Sequence, residues 1–381
     1  MDFAFSDEQD ELRRTVRAFL ADTSPETETR RLMETPEGFD RALWRRMGTE
    51  LGLQGLAVPE EYGGAGCGPV EVGVVMEELG RALVCTPFLS SAVLATTTLL
   101  RCDDEDARKR LLPGLASGEL VGTLALTEDS ARWDAAGVRL NARASEGRWL
   151  LTGHKMFVLD GATADVVLTV AHADDGIGVF WVDGDAAGLT RTPLPTMDPT
   201  RRQARLDYDD VPATRLRTGH GDGWDLVSQV LDRAAVALAA EQVGVASRAL
   251  DMAVEYAKVR HQFGRPIGSF QAVKHLLADV LLEVESARAA AHFALLAAEA
   301  EDPDLPAVAS LAKAFCSDAC LQATEQNIQV HGGIGFTWEH PAHLYLKRAK
   351  TSHLLFGDPA YHRELLARRI GLDTVTAKGA A

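Results

Sequence analysis

Apolar residues recur three and four apart from residue 5 to about 118, the period of helices with one buried face. The first such stretch, "SDEQDELRRTVRAFL", opens on Ser6, a candidate N-cap with Glu8 close behind. "VPEEYGGAG" at 58–66 breaks the pattern with proline and glycine, and "VEVGVVMEELGRAL" restores it. From Gly122 the period shortens. "TLALTED", "RWLLTG", "KMFVLDG", "DVVLTVA", "GIGVFWVDG" and "ARLDYDDV" are short, rich in β-branched and aromatic residues, and separated by Gly, Asp and Asn. They predict an antiparallel β domain running to about residue 216. After "GHGDGWDLV", long apolar periodic stretches at about 225–260, 268–300, 305–330 and 340–370 predict a four-helix bundle. The expected fold is mostly α with an inserted antiparallel β domain. It divides into a helical domain at 1–120, a sandwich- or barrel-like domain at 121–217 and a helical bundle at 218–381.

Composition narrows the function classes. A chain of 381 residues exceeds the roughly 250–300 at which single cores stop growing. Its net charge of −16, from 39 basic and 55 acidic side chains, offers no general field for a polyanion and argues against nucleic-acid binding. The start "MDFAFSDEQDELRR" has neither the basic leader nor the apolar run of a signal peptide. No apolar run approaches the ~20 residues that cross a bilayer. A cytoplasmic protein without membrane insertion is expected. The five cysteines include no C-x-x-C pair and read as free thiols, with Cys316 and Cys320 packed one helical turn apart rather than holding a metal.

Three stretches carry more specific information: "GLAVPEEYGGAG", "YAKVRHQFGRPIGSFQAVKHLLAD" at 256–279 and "QVHGGIGFTWEHPAHLYLKRAK" at 329–350. Together, in this order and around a β insert, they resemble the acyl-CoA dehydrogenases, including actinobacterial heteromeric enzymes of steroid side-chain degradation. The similarity runs from about residue 3 to 370. Members of that family remove an α proton from an acyl thioester and pass a β hydride to N5 of FAD. The resemblance implies a three-domain fold, FAD between subunits, and electron transfer to an electron-transfer flavoprotein.

The resemblance also implies site residues. Arg260 in "RHQFG" is placed against the pyrophosphate, a role for which its forked donors suit, with Gln262 and Phe263 nearby. Gln329, Gly332 and Gly333 match a "Q-x-x-G-G" element whose bare backbone approaches the dinucleotide. Leu124, Leu126 and Thr127 fall on the flavin-contacting strand, and Phe157 where an aromatic residue covers the ring. Ser130 matches the phosphate-binding serine in the shortened "TEDSARWD", and Leu159 stands where a hydroxyl residue is common. Asp358 completes the cofactor set.

The catalytic carboxylate is missing from both family positions. Phe356 in "HLLFGDPAY" occupies the common one, ahead of the Gly357–Asp358 turn, and Ala234 the less common one on the first bundle helix. The Phe356 backbone N–H still matches the donor to the thioester oxygen. Glu241 lies seven residues beyond Ala234, about 20° short of two full turns, in the apolar run "AAVALAAEQVGVA". An unpaired charge is costly there, so Glu241 reads either as a general base or as the partner of an arginine within the bundle. Asp358 is a weaker base candidate, more suited to accepting from N–H groups of its own turn. Alanine at 234 and 235 clears volume for a bulky, branched or ring-bearing acyl chain on CoA or a carrier-protein pantetheine. The alternatives are a non-catalytic subunit sharing the FAD site of a hetero-tetramer rather than a homo-tetramer, and an oxidase or monooxygenase on the same fold.

Overall fold

The computed structural model describes residues 5–219 and 222–372. The helices are α1 (Asp7–Thr23), α2 (Glu26–Met33), α3 (Arg41–Thr49), α4 (Pro69–Ala82), α5 (Thr96–Arg101) and α6 (Glu105–Ala116). The strands β1 (Gly122–Ala125), β2 (Asn141–Ser145), β3 (Arg148–Leu159), β4 (Val166–Ala173), β5 (Gly176–Asp183), β6 (Leu189–Pro193) and β7 (Gln203–Arg215) follow. Then come α7 (Gly223–Val259), the two-residue strands β8 (His261–Gln262) and β9 (Arg265–Pro266), α8 (Gln271–Glu299), α9 (Leu305–His331), α10 (Ala342–Leu354) and α11 (Pro359–Arg369). Ser6 caps α1 as its sequence suggests, but the reciprocal side chain is Gln9, not Glu8, because the partner must sit at the third helical position.

Packing groups these elements into two compact units that do not follow chain order. The first, a helical unit, takes the described residues up to Arg30, Pro69–Val84 and the described residues from Ala235 on. Here α1 and α4 join the C-terminal helices. Arg13 and Arg17 of α1 reach Glu77 and Glu78 of α4, and Arg288 of α8 also bonds Glu77. Glycines set the closest approach: a Cβ at Gly80 of α4 or at Gly244 of α7 would collide with the backbone of the other helix. The stretch expected as one last bundle helix is two, α10 and α11. Positive φ at Phe356 and Gly357 and the following Asp358–Pro359 start a new helix.

The second unit contains Arg31–Gly68 and Cys85–Ala234. Its pairings close on themselves through β2, β3, β7, β5 and β4, a small barrel with β1 added to β4 and β6 to β7. The sheet is mixed rather than purely antiparallel, since β1 and β2 each run parallel to β4. The long connection from β1 to β4 allows a parallel partner where a hairpin would not. A π-helical stretch, Leu89–Ala95, fixes the start of β1: Ser91 Oγ accepts from Gly122 N at 3.0 Å. Among the described residues no helix is long and apolar enough to cross a membrane.

Candidate active site

In the barrel unit, the segment after β1 is laced to β3. Thr127 O accepts from Met156 N at 2.8 Å, and Thr127 Oγ1 donates to Met156 O at 2.7 Å. The hydroxyl's proton is therefore used, leaving it acceptor capacity toward a ligand. Beneath this seam lies Lys155, which sequence reading passed over. Its Nζ donates to Leu126 O at 2.9 Å and to Glu128 Oε1 at 2.7 Å, and that carboxylate also accepts from Arg139 N and Leu140 N. Burial pulls Lys155 down to about 8 against the opposing pull of Glu128. Burial works to raise Glu128, but the lysine charge and the backbone donors outweigh it and hold the carboxyl below its usual value. A lysine opening the apolar end of a strand, "KMFVL", was the available signal.

Just past Lys155 the β3 register slips between Lys155 and Val158. Phe157 occupies this bulge at φ 58° and is 38% exposed, while Leu124, Leu126 and Leu159 are buried. A bulge at this point turns one ring out of a strand whose neighbours stay in the core. Ser130 lies in an exposed turn closed by Ala131 N to Glu128 O at 2.8 Å.

In the helical unit, β8 and β9 form a hairpin directly after α7. Its two loop residues, Phe263 and Gly264, have φ of 53° and 78°, the paired positive values of a type I′ turn. Phenylalanine in place of the usual Asn or Gly is strained there, and its ring is 91% exposed. Arg260 and Gln262 are exposed beside it. The hairpin's root meets the third motif: Tyr256 of α7 stacks on His331 at the end of α9, centroids 4.3 Å apart. Sequence spacing could not give that pairing. Gly332 follows at φ 64° and ψ −143°, a conformation open essentially to glycine alone. A Cβ at Gly332 or Gly333 would meet nothing within 4 Å, so no packing within the chain demands either glycine for space. Gln329 is exposed alongside.

The turn after α10 is pinned from below. Phe356 and Gly357 have φ of 61° and 107°, and a Cβ at Gly357 would run into the Tyr361 ring. His362 Nε2 donates to Phe356 O at 3.1 Å. Burial, then the nearby Lys313 charge, push that imidazole down to about 3, keeping it neutral. Lys313 of α9 is fully buried and donates to Gly357 O at 3.1 Å, His353 O at 3.4 Å and Ser317 Oγ at 3.0 Å. Burial lowers it to about 7. Asp358 Oδ1 accepts from Tyr361 N at 2.7 Å as the cap of α11, the turn role its position suggested, in place of a base.

Glu241 is not a free base. Its Oε1 accepts from Arg348 Nη1 of α10 at 2.8 Å, with Glu241 2% and Arg348 3% exposed. The carboxylate's lone pairs face a permanent cation, and drawing them off to a substrate proton would strand a buried guanidinium. The expectation of a base at Glu241 is thus corrected to the arginine pairing weighed beside it. The sequence showed the apolar surroundings but not Arg348, which lies on another helix far along the chain. Cys316 and Cys320 are buried free thiols, and no group of metal ligands occurs among the described residues.

Taken unit by unit, the residues suit parts of a flavin dinucleotide: the barrel unit offers an outturned aromatic ring, and the helical unit a forked cation beside an exposed aromatic and glycines whose open flanks no neighbour fills. Family models match most of the chain. The acyl-CoA dehydrogenase N-terminal, middle and C-terminal domains match residues 6–119, 123–211 and 221–371. The chain is 38% identical over 363 residues to acyl-CoA dehydrogenase IpdE2 of Mycolicibacterium smegmatis, covering 95% of this chain and 98% of that protein. Its fold is similar to the Tcur3481-Tcur3483 steroid ACAD at 32% identity, with a TM-score of 0.87, over 97% of this chain and 99% of that one. It is also similar to the ChsE4-ChsE5 complex from Mycobacterium tuberculosis at 29% identity, with a TM-score of 0.89, over 97% and 99% of the two chains.

Proposed function

The chain belongs to the acyl-CoA dehydrogenase family, and on that premise we propose that it serves FAD-dependent α,β-dehydrogenation of an acyl-CoA thioester. The observation that carries this reading is strain at three motif aromatics. Phe157, Phe263 and Phe356 hold φ of 58°, 53° and 61°, a region costing bulky L-residues roughly 1–2 kcal/mol each. Strain kept at motif positions, one in the barrel unit and two in the helical unit, is accounted for by bound groups that these residues serve.

In this reading Phe157 covers the flavin ring, with Leu124, Leu126 and Thr127 behind it and Ser130 toward a phosphate. Arg260, Gln262 and Phe263 take the diphosphate end, and Gln329, Gly332 and Gly333 keep backbone bare for the dinucleotide. FAD, when bound, supplies N5 as the acceptor of the β hydride. The Phe356 turn orients the thioester through its backbone, with Asp358 fixing the turn's shape. Sharing of FAD between subunits implies at least a dimer, read here as part of a homo- or hetero-tetramer, and an electron-transfer flavoprotein takes the electrons. Alanines at 234 and 235 and the steroid enzyme among the similar structures favour a bulky or ring-bearing acyl group.

A second reading follows from one observation, the Glu241–Arg348 pair. With phenylalanine at 356, alanine at 234 and Glu241 engaged, the α proton is removed by a carboxylate from a second dehydrogenase-like chain in a hetero-tetramer. The two chain names joined in each similar structure accord with such an assembly. The test is purification of the chain alone and with candidate partner chains, measuring flavin content and anaerobic bleaching by a panel of acyl thioesters. Flavin without bleaching until a partner is added supports the second reading. Bleaching by the chain alone supports the self-sufficient enzyme, and peroxide release would instead indicate an oxidase.

A further inference from the structure

α9 is apolar along most of its first half, "LPAVASLAKAFCS", and Lys313 is the one charged residue in that stretch. Its ammonium is fully buried, yet its three acceptors are all neutral oxygens: Ser317 Oγ, His353 O and Gly357 O. An ion in such a place ordinarily has a carboxylate partner, because a neutral acceptor set offsets only part of its lost hydration. Two of the three acceptors are main-chain carbonyls flanking Phe356. The third, Ser317, exchanges hydrogen bonds with Gln242 of α7, the residue beside Glu241. From the other side, His362 bonds the carbonyl of Phe356 itself. The strained turn is therefore gripped at residues 353, 356 and 357, and its lysine is tied back through Ser317 to α7.

We infer that Lys313 is a positioning residue of the thioester site, holding the Phe356–Gly357 turn in the left-handed shape that presents its backbone to the thioester carbonyl. This rests on the dehydrogenase reading, in which that turn faces the thioester. Removing the ammonium takes its donor from the His353 and Gly357 carbonyls, while Ser317 Oγ keeps Gln242 Nε2, and the turn relaxes toward φ values that phenylalanine prefers. Recognition of the carbonyl oxygen is then lost, while contacts to the rest of the acyl-CoA remain.

The test compares an acyl-CoA thioester with its thioether analogue, which lacks the carbonyl oxygen, by perturbation of the flavin spectrum. Flavin-loaded protein is used, with its partner chain if one is required. Wild type is expected to prefer the thioester. Lys313→Met should lose at least tenfold of that preference, with thioether affinity and flavin content unchanged. Lys313→Gln, which keeps a neutral donor, should fall between the two and carries the same comparison if the methionine variant does not purify. A full thioester preference in the variant that purifies overturns the inference with the dehydrogenase reading intact. No preference in wild type overturns both.

Discussion

Glu241 of α7 and Arg348 of α10 meet at 2.8 Å in a region closed to solvent, so the one carboxylate in the apolar run of α7 is a structural partner. Breaking one side of a buried pair costs about 3–5 kcal/mol, whereas replacing both sides with apolar groups is often neutral. Glu241→Gln is expected to lower stability by about 3 kcal/mol, read by urea unfolding. The double variant Glu241→Met/Arg348→Met should recover most of the loss. Equal losses in the single and double variants would show that the pair does not act as a unit.

Relief of strain at the hairpin should separate stability from binding. Phe263→Asn places a residue suited to positive φ in the type I′ loop and removes a ring that is 91% exposed. The variant should be as stable as wild type, or more so by up to about 1 kcal/mol, and should retain less flavin per chain. A fall in thermal stability with unchanged flavin content would mean that the ring serves the fold.

The helical unit was legible where local pattern governs: apolar spacing gave α7, α8 and α9, whereas the last stretch, expected as one helix, divides at the Gly-Asp-Pro turn into α10 and α11. Pairings between distant segments were not. Arg348 sits in a basic stretch that reads as a solvated helix face, and nothing local marks it as the partner of Glu241. Lys313 interrupts an apolar run and Lys155 borders one, a signal that a buried cation is present but not which oxygens receive it. Positive φ at Phe157 and Phe356 was unreadable, because the strain is imposed by the register of β3 and by groups packed under the turn.

Lys313 also predicts a pH dependence. Burial brings it from 10.5 to about 7, so between those values the unfolded chain holds a proton that the folded chain has released. More protons on the unfolded state means stability rises with pH. Relative to Lys313→Met, wild type should therefore gain stability as pH is raised from about 7 toward 10.5, and the difference should be flat below 7. Urea unfolding of both proteins across that range checks the sign. A gain confined to pH below 7 would contradict it.

On the acid side, the buried seam of the barrel should fail through Glu128. Its carboxyl is held below the ordinary 4.5 once the lysine and backbone donors overcome the burial that raises it. Its contribution is present above that value and disappears as pH falls through the lowered one. Glu128→Gln should be less stable than wild type at neutral pH, with the gap narrowing below pH 4.5. A constant gap would mean the charge is not what Lys155 requires.

The location of the base is tested most directly by anaerobic flavin reduction with an acyl-CoA thioester in three forms of the chain alone: wild type, Glu241→Gln and Phe356→Glu. With Glu241 held by Arg348, the two-chain reading requires no bleaching by wild type or Glu241→Gln alone, and bleaching by Phe356→Glu, where a carboxylate returns to the turn. Bleaching by wild type that vanishes in a folded, flavin-loaded Glu241→Gln protein would contradict it and return the proton to Glu241.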